Sequence, residues 1–332
     1  MNNFTQFPDW FEEARKKGLK GDDATLCRTL LRAGNRTGDE SANDFHGYAT
    51  LMWRKLHKPY VKVYPSVALE LATAKVDLPF SDLTMPFDAF SILLNDDLLT
   101  DDSGQQPVRS MLVSQVQPKT GNPYIFISAF RGKYRSGIAS TPAFWMRIDH
   151  DANLEKYLDE FLSPGKYTEL VNRQLPREDR DLLTPDLMRA MSRLIVNVCL
   201  LMTNNSELVS RDIPTKFLTP YNDAVKRGDR KAKADLEHKI SRSGTLHGHT
   251  IGSTLMVPSR PGIPAFSTGQ HWKLSWGHLR RTHWRRYWVG PKESQTVVRK
   301  LVLLHHVGHD DAGKPLPVNP DAVRRYQVGA AV

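Results

Sequence analysis

The stretch from His271 to His306 concentrates the side chains of this sequence that are best suited to bind a nucleic acid. Between His271 and Lys300 the single acid Glu293 faces eight cations: Lys273, Arg280, Arg281, Arg285, Arg286, Lys292, Arg299 and Lys300. Guanidinium groups bind phosphates in pairs of hydrogen bonds, and flat rings stack on exposed bases. The same stretch carries five large aromatic residues: Trp272, Trp276, Trp284, Tyr287 and Trp288. This mixture predicts a segment that contacts RNA.

The residues that we expect to contact RNA lie in the sequence HLRRTHWRRYW. They are Arg280, Arg281, Trp284, Arg285, Arg286, Tyr287 and Trp288. Unpaired bases and phosphates are the RNA groups that such a set recognises best, because the bases are free to stack. One alternative stays open, in which the tryptophans fill a core and the arginines are simply solvated.

Histidines also accumulate towards the end of the chain. Nine of the twelve follow residue 237, and imidazole is the side chain best suited to act as an acid or a base near neutral pH. RNA cleavage without a metal needs a base, an acid and a cation at the phosphorane. His278 and His283 flank two arginines, so they are candidate catalytic residues of a metal-independent endoribonuclease. Their spacing enforces no catalytic geometry, and we therefore favour a protein that is not an enzyme.

The sequence gives no reason to expect a metal or a cofactor. His247 and His249 could ligate zinc together with His271 or His278, but no HExxH or CxxC motif accompanies them. The acidic run at 95–102 lacks the spacing of an EF-hand. Neither a Walker A motif nor GxGxxG nor GxSxG is present.

The basic and aromatic segment must be held by a strand. In HWRRYWV the residues alternate, so Trp284, Arg286 and Trp288 share one face of the strand. Gly290 and Pro291 then break the strand, and residues 296–304 supply an apolar, β-branched partner. The pattern predicts a C-terminal β-hairpin whose connection has four to six residues.

Strand patterns also fill the first half of the chain. The candidates are residues 60–64, 87–94, 108–116, 124–130 and 143–148. Most are joined by short connections, which favours antiparallel neighbours. We therefore predict an α+β fold with a central, mainly antiparallel sheet, flanking helices and the C-terminal basic and aromatic hairpin.

Helical spacing marks the segments around these strands. Residues 1–40 predict one or two short helices, Ser66 is a candidate cap for another, and Thr184 with Pro185 begins a long apolar helix. Ser41 can cap a helix with one apolar face: Phe45, Tyr48, Met52 and Leu56.

The later segments complete the predicted organisation. Residues 221–243 are basic and predict a solvated helix or a mobile arm, and residues 244–269 predict a loop. We expect two parts, an N-terminal set of helices with the sheet over 1–150, and a helical segment, basic helix and hairpin over 151–332. The two parts are expected to pack as one globular unit.

Composition limits the class of protein. The formal net charge is +10 and the pI is near 9.5, which favours a polyanionic partner such as nucleic acid. Two cysteines, Cys27 and Cys199, are too few for a disulfide framework. The longest apolar run, 194–202, is too short to cross a bilayer, and the N-terminus is too polar for a signal peptide. We expect a soluble cytoplasmic protein with no membrane partner.

The segment HLRRTHWRRYWVGP, followed by an apolar strand, resembles the type V anti-CRISPR family of phages and plasmids. Members of that family end with an RRxHWHxYWxG-like segment, and the matching positions here are Arg280, Arg281, His283, Trp284, Tyr287, Trp288 and Gly290. The second histidine of the family is replaced by Arg285 or Arg286. Looser matches lie at 52–65, 85–92, 123–128 and 194–205.

The resemblance implies a mechanism that composition alone does not. It implies an inhibitor that recognises the nascent N-terminal peptide of the type V CRISPR effector nuclease and causes loss of its mRNA, blocking its biosynthesis. The implied partners are the nascent polypeptide and mRNA or the ribosome, in the cytoplasm of a bacterial host cell. No residues are identified for the peptide. The alternatives are a metal-independent endoribonuclease and a general RNA-binding protein of a mobile element.

Overall fold

The structure is a computed structural model in which two compact units are distinguished. It describes residues 4–36, 42–76, 78–94, 99, 107–117, 122–133, 139–140, 142–148, 152–174, 183–204, 208–213, 215–242, 248–252, 278–280, 283–291, 295–302 and 305–307. Contacts between residues divide the chain into Met1–Ser253 and Thr254–Val332. The predicted two parts, with their boundary at residue 150, stay a prediction.

Helices and strands alternate irregularly in the described part of the first unit. Its helices are α1 (Trp10–Lys16), α2 (Asp23–Arg36), α3 (Ala42–Lys55), α4 (Pro65–Thr73), α5 (Leu154–Phe161), α6 (Pro164–Gln174), α7 (Pro185–Thr203), α8 (Thr215–Arg227) and α9 (Arg230–Arg242). Its strands are β1 (Tyr60–Val63), β2 (Ala89–Leu94), β3 (Ser110–Val116), β4 (Tyr124–Phe130), β5 (Gly132–Lys133), β6 (Ala139–Ser140), β7 (Ala143–Arg147), β8 (Val209–Arg211) and β9 (Gly248–Ile251).

A seven-stranded sheet organises this unit. Its strand order is β7-β4-β3-β2-β1-β9-β8. The pairs β7–β4, β4–β3, β3–β2 and β9–β8 are antiparallel, whereas β1 is parallel to both of its neighbours, β2 and β9. Together with the helices around it, this mainly antiparallel sheet confirms the predicted α+β fold class.

One face of the sheet packs against α3. Ala49 and Trp53 of α3 form a buried cluster with Ala89, Leu112 and Phe126, which lie on β2, β3 and β4. Trp53 is 3% exposed and the other four are fully buried. Burial of such apolar area contributes about 25 cal/mol per Å², so this layer is a main source of the free energy of folding.

The long helix α7 lies on the other face. Ser192 of α7 contacts the sulfur of Met146 on β7, with its Oγ 3.3 Å from Sδ. Asn197 uses its side-chain amide to donate to the carbonyl oxygens of Leu71 (2.7 Å) and Ala74 (3.1 Å) at the end of α4. These bonds satisfy a buried amide and fix α4 against α7. Among the described residues, no helix has both the length and the apolar character that a membrane span requires.

The predicted apolar face of α3 is wrong in part. Tyr48, one of its four residues, is 39% exposed. Met52 and Leu56 are half-buried and pack against the cluster as predicted, and the side chain of Phe45 lies outside the described part of the structure. The buried residues of the helix include His46, Ala49, Thr50 and Trp53. Small residues at 49 and 50 let the helix approach the sheet closely, and one large indole then fills the remaining space. The predicted cap Ser41 lies outside the described residues.

Helix α4 begins differently from the prediction. Tyr64 occupies the N-cap position and makes no side-chain capping bond, and Pro65 occupies the first turn. Proline is favoured there because its missing N–H has no partner in the first turn of any helix. Ser66 is therefore inside the helix and not its cap. The Thr184 cap is confirmed, since its Oγ1 accepts from the backbone N–H of Leu187 at 3.3 Å.

The segment 244–269 contains a strand that the sequence did not predict. Residues Gly248–Ile251 form β9, which is inserted between β1 and β8, with Tyr60 opposite Gly248. The four residues GHTI have no period-two apolar pattern, so local sequence favours a loop. Pairing on both sides with strands distant in sequence outweighs that preference.

The described part of the basic segment, 221–242, is helical apart from a short junction. It belongs to α8 and α9, which pack against each other and are joined by Gly228 and Asp229. Arg211 of β8 forms an ion pair with Glu237 of α9 at 2.8 Å, and the hydroxyl of Tyr221 lies 3.3 Å from the same carboxylate. The helix pair is thereby tied to the edge of the sheet.

Candidate nucleic-acid interface

The described part of the second unit consists of two antiparallel strand pairs. Strand β11 (His283–Val289) pairs with β12 (Thr296–Val302), and β10 (His278–Arg280) pairs with β13 (His305–Val307). Residues 290–295 connect β11 and β12. The predicted basic and aromatic hairpin is confirmed, with a connection of the expected length.

The hairpin turns at the glycine that matches the motif of the resembled family. Gly290 has a φ of +112°, a backbone conformation that L side chains rarely adopt. Val289, Gly290 and Pro291 are all exposed. Glycine is therefore required at this position by the backbone, independently of any contact with a ligand.

The register of the hairpin places like charges opposite each other. Arg285 is the partner of Lys300, and Arg286 is the partner of Arg299. Like charges directly opposite in an antiparallel pair are destabilising, on the order of 0.2–1 kcal/mol each. Two consecutive cross-strand pairs are thus formed by cationic residue types. A bound polyanion would offset that cost by neutralising the cations.

Two of the predicted RNA-contacting residues have described side chains. Arg285 is exposed and Trp284 is half-buried. Trp284 lies opposite Leu301, which is also half-buried. A half-buried indole has area for packing within the hairpin and area left over for a base.

The other predicted contact residues are placed by the backbone alone. Arg280 lies on β10 opposite His305, and on β11 Tyr287 lies opposite Val298 and Trp288 opposite Val297. Arg281 lies outside the described residues. The hairpin therefore brings Trp284, Arg285, Arg286, Tyr287 and Trp288 onto one strand, with Arg280 on another strand pair.

The two candidate catalytic histidines lie on different strand pairs. His278 is on β10 opposite Val307, and His283 is on β11 opposite Val302. Because strand β13 begins at His305, the β10–β13 pair also contains His305 and His306. The histidine nearest to His278 in register is therefore on β13, a relationship that sequence spacing could not reveal.

The predicted absence of a zinc site stays a prediction. In the part of the chain that the structure describes, no three histidine, cysteine, aspartate or glutamate side chains are grouped to hold a metal ion. His249 is on β9, where its ring lies 6.0 Å from the ring of Phe87. His247 and His271 lie outside the described residues.

The first unit contains a polar centre around Tyr60 that the sequence did not predict. The Tyr60 hydroxyl donates to Oδ2 of Asp212 at 2.6 Å, and Nζ of Lys62 lies 2.7 Å from the same oxygen. Burial, together with this bond, raises the pKa of Tyr60. The phenol stays neutral at physiological pH, and its hydrogen bond to Asp212 ties β1 to the end of β8.

A second polar centre joins the N-terminal helices. Asp9 caps α1 with one oxygen, which accepts from Phe11 N at 3.0 Å, and pairs with Arg54 and Lys58 through the other. Arg54 also binds Asp23 at 2.6 Å. Burial raises the pKa of Asp9, but the bond and charge of Lys58 and Arg54 outweigh it and hold the pKa below its ordinary value. All charges are compensated, which indicates a structural role.

A small pocket in the first unit is lined only by apolar side chains. They include Val76, Leu78, Phe80, Leu154 and Leu200. A pocket without a polar group cannot orient a substrate or move a proton. Of these regions, the hairpin therefore has the residue types best suited to a ligand.

Among the comparisons with known proteins, the match to a family profile agrees with the resemblance of the hairpin segment. A comparison with curated proteins finds no match. A solved structure, described as the crystal structure of AcrVA2, matches with a TM-score of 0.39 and 13% sequence identity, covering 90% of this chain and 91% of that chain. The profile of the AcrVA2-like family, described as the anti-CRISPR type V subtype A2 family, matches residues 62–300, well over half of the chain and including most of the hairpin. This chain is therefore an anti-CRISPR protein that belongs to the type V subtype A2 family.

Proposed function

We propose that this protein recognises the nascent N-terminal peptide of a type V CRISPR nuclease and causes loss of the mRNA that encodes it. The nuclease is then not made, and CRISPR defence fails in the host cell. In this mechanism the protein is an adaptor, since it connects a peptide emerging from the ribosome to the fate of the message. The adaptor must contact RNA or the ribosome.

The observation that carries the RNA contact is the register of the hairpin. Arg285 and Arg286 face Lys300 and Arg299, an arrangement that costs folding free energy and favours an anion. The neighbouring Trp284 is half-buried, which leaves ring surface for a base. Arg280, Arg281, Tyr287 and Trp288 complete the proposed contact set. The family match supports the anti-CRISPR part of the proposal.

Salt dependence of RNA binding tests this contact. The variant with Arg280, Arg281, Arg285 and Arg286 all replaced by Ala should bind a labelled single-stranded RNA more weakly and with a flatter dependence on salt. The slope of log affinity against log salt changes by about 0.7 for each phosphate that the variant no longer neutralises. The thermal midpoint should not fall. A variant that keeps the wild-type salt dependence would contradict the proposed contact between the hairpin and RNA.

A second candidate function is metal-independent RNA cleavage with His278 and His283 as acid and base. One observation favours it: Arg280 lies opposite His305 on the β10–β13 pair, so a cation and histidines are close in register. Incubating purified protein with labelled RNA and a chelator separates the two functions. A nuclease would cleave with a bell-shaped pH profile, and His278→Ala or His283→Ala would lower the rate by about 10²–10⁴-fold. The adaptor leaves free RNA intact.

A further inference from the structure

The junction of α8 and α9 is an exposed basic tip in the first unit. Every residue from Val225 to Lys231 is exposed. We call this segment, 225–231, the basic tip. Its four cations are Lys226, Arg227, Arg230 and Lys231, and its one acid is Asp229. Seven consecutive exposed residues at the end of a helix pair form a protrusion and not a groove.

The cations of the basic tip have no carboxylate partner in the described part of the chain. Carboxylates pair with many cations elsewhere in the first unit: Arg15, Arg54, Lys62, Arg189, Arg193 and Arg211. The four cations of the tip form no ion pair with any residue that the structure describes. Asp229 instead caps α9, where its Oδ1 accepts from the backbone N–H of Ala232 at 3.0 Å.

Two of these cations occupy an unfavourable position. Arg230 and Lys231 lie in the first turn of α9, which contains no acidic residue. The helix dipole is positive at this end, so a cation there is disfavoured. The first turn of α9 thus contains cationic residues at positions where acidic residues would stabilise the helix better. Such an arrangement is typical of a surface that meets an anionic partner.

We propose that the basic tip binds the phosphate backbone of double-stranded RNA. From 222 to 242 the sequence contains no Phe, Tyr or Trp, so this surface lacks the large aromatic rings that stack best on the unpaired bases of a single strand. Duplex RNA is recognised through its shape and phosphates, which a protruding cluster of cations can reach. An amphipathic membrane-binding helix would present an apolar face, whereas Val225 is the one apolar residue of the basic tip.

The inference rests on the proposed function in taking RNA as the partner, and it assigns a second form of RNA to a second surface. The hairpin, which carries aromatic residues, binds single strands, whereas the basic tip binds duplexes. An mRNA engaged by ribosomes offers both forms close together. The tip adds affinity without sequence specificity, since phosphate contacts carry none.

The test compares two RNA probes and two variants of the full-length protein. The probes are a labelled duplex of roughly 20 base pairs and an unstructured oligouridine of the same length. The tip variant replaces Lys226, Arg227, Arg230 and Lys231 by Ala. The control variant removes the same charge from dispersed exposed lysines: Lys17, Lys20, Lys55 and Lys156. Because Ala favours helix, both variants should fold, which thermal melting checks.

The tip variant should bind the duplex about tenfold or more weakly than wild type. The slope of its log affinity against log salt should be flatter by about 0.9 for each phosphate that it no longer neutralises. Its affinity for oligouridine should stay within about twofold of wild type, and the control variant should lose much less on the duplex. Equal duplex affinity of the tip variant and wild type would overturn the inference. Equal losses of duplex affinity in both variants would also overturn it. Polyglutamate and anionic vesicles are measured as further probes, and a loss of binding seen only with these two would overturn the inference as well.

The four-arginine hairpin variant, measured in parallel, separates failure of this inference from failure of the proposed function. If it loses oligouridine binding while the tip variant keeps wild-type duplex binding, the inference on the tip is wrong and the hairpin contact stands. If the tip variant loses duplex binding while the hairpin variant keeps oligouridine binding, the inference stands and the hairpin contact is wrong. Each result therefore addresses one surface.

Discussion

Arg285 lies directly opposite Lys300 in the β11–β12 pair, and the adjacent pair joins Arg286 to Arg299. Each like-charge pair costs folding free energy, so the stability of the hairpin alone does not account for two such pairs in succession. The relationship predicts that stability and RNA affinity respond in opposite directions to charge at these positions.

The substitution Lys300→Glu tests that relationship. It replaces a repulsive pair by an attractive one, so it should stabilise the hairpin by about 0.2–1 kcal/mol and raise its thermal midpoint. The same substitution should weaken RNA binding, since it removes a cation and adds an acid. Lys20→Glu changes the net charge equally on an exposed part of the first unit and should leave both properties nearly unchanged. A Lys300→Glu protein that binds RNA as tightly as wild type would contradict the account.

Trp284 provides a second prediction. Because its ring is half-buried, Trp284→Ala should cost about 1–3 kcal/mol of RNA affinity through the loss of one stacked base. Trp145 on β7 is also half-buried and serves as the matched control in the first unit. Trp145→Ala should lower the thermal midpoint without changing RNA affinity. Equal RNA affinities for the two variants would remove Trp284 from the interface.

The sequence predicted the hairpin but not its charge pairing. Alternation in HWRRYWV, with Gly290 and Pro291 after it, is enough to place the strand and its turn. A six-residue connection does not determine which residues face each other, because several registers satisfy the same turn. The pairs Arg285–Lys300 and Arg286–Arg299 therefore emerge only from the structure. The basic tip could not be predicted either, because one continuous basic helix and two helices joined by a short connection have similar sequence patterns.

Gly248 tests the strand that the sequence did not predict. A Cβ atom there would lie 2.6 Å from the Tyr60 ring and hydroxyl oxygen, which are held by Asp212. Gly248→Ala should therefore cost about 1–3 kcal/mol of stability through overpacking. At Gly165 in α6 nothing lies within 4 Å of the added atom, so Gly165→Ala should leave stability equal or slightly higher. Chemical denaturation measures the stability of both variants. An unchanged denaturation midpoint for Gly248→Ala would contradict the pairing of β9 with β1 beside Tyr60.

The Asp9–Arg54 pair predicts a dependence of stability on pH. The pKa values of Asp9 and Asp23 are lowered in the folded protein, so their ionised forms stabilise the fold above the pKa of an unfolded aspartate. That stabilisation is lost as the pH falls through the folded pKa. Arg54→Gln should cost about 1–3 kcal/mol at neutral pH and move acid unfolding to higher pH.

The control for this substitution is an ion pair on the surface. Lys166→Gln breaks the exposed pair with Glu160 and should change the acid unfolding midpoint very little. An equal shift for Lys166→Gln and Arg54→Gln would mean that net charge, and not the pairing around Arg54, sets the acid stability.

Most of the sheet was predictable because its strands are apolar and closely spaced along the chain. Strands β2, β3 and β4 carry continuous runs of buried residues, and local pattern alone identifies them. Strand β9 has no such pattern and depends on its pairing with β1 and β8. The burial of Trp53 in place of Tyr48 similarly depends on the sheet that α3 meets, which helical spacing does not describe.

Measuring the level of one mRNA shows whether its loss depends on the encoded N-terminal peptide. Two reporter messages are compared in cells that express this protein: one encodes the N-terminal peptide of the type V CRISPR nuclease, and the other carries nearly the same nucleotides with that peptide recoded by a frameshift. Wild-type protein should deplete the first message and spare the second, and the four-arginine hairpin variant should deplete neither. Equal depletion of both messages, or depletion that persists in the hairpin variant, would contradict the account.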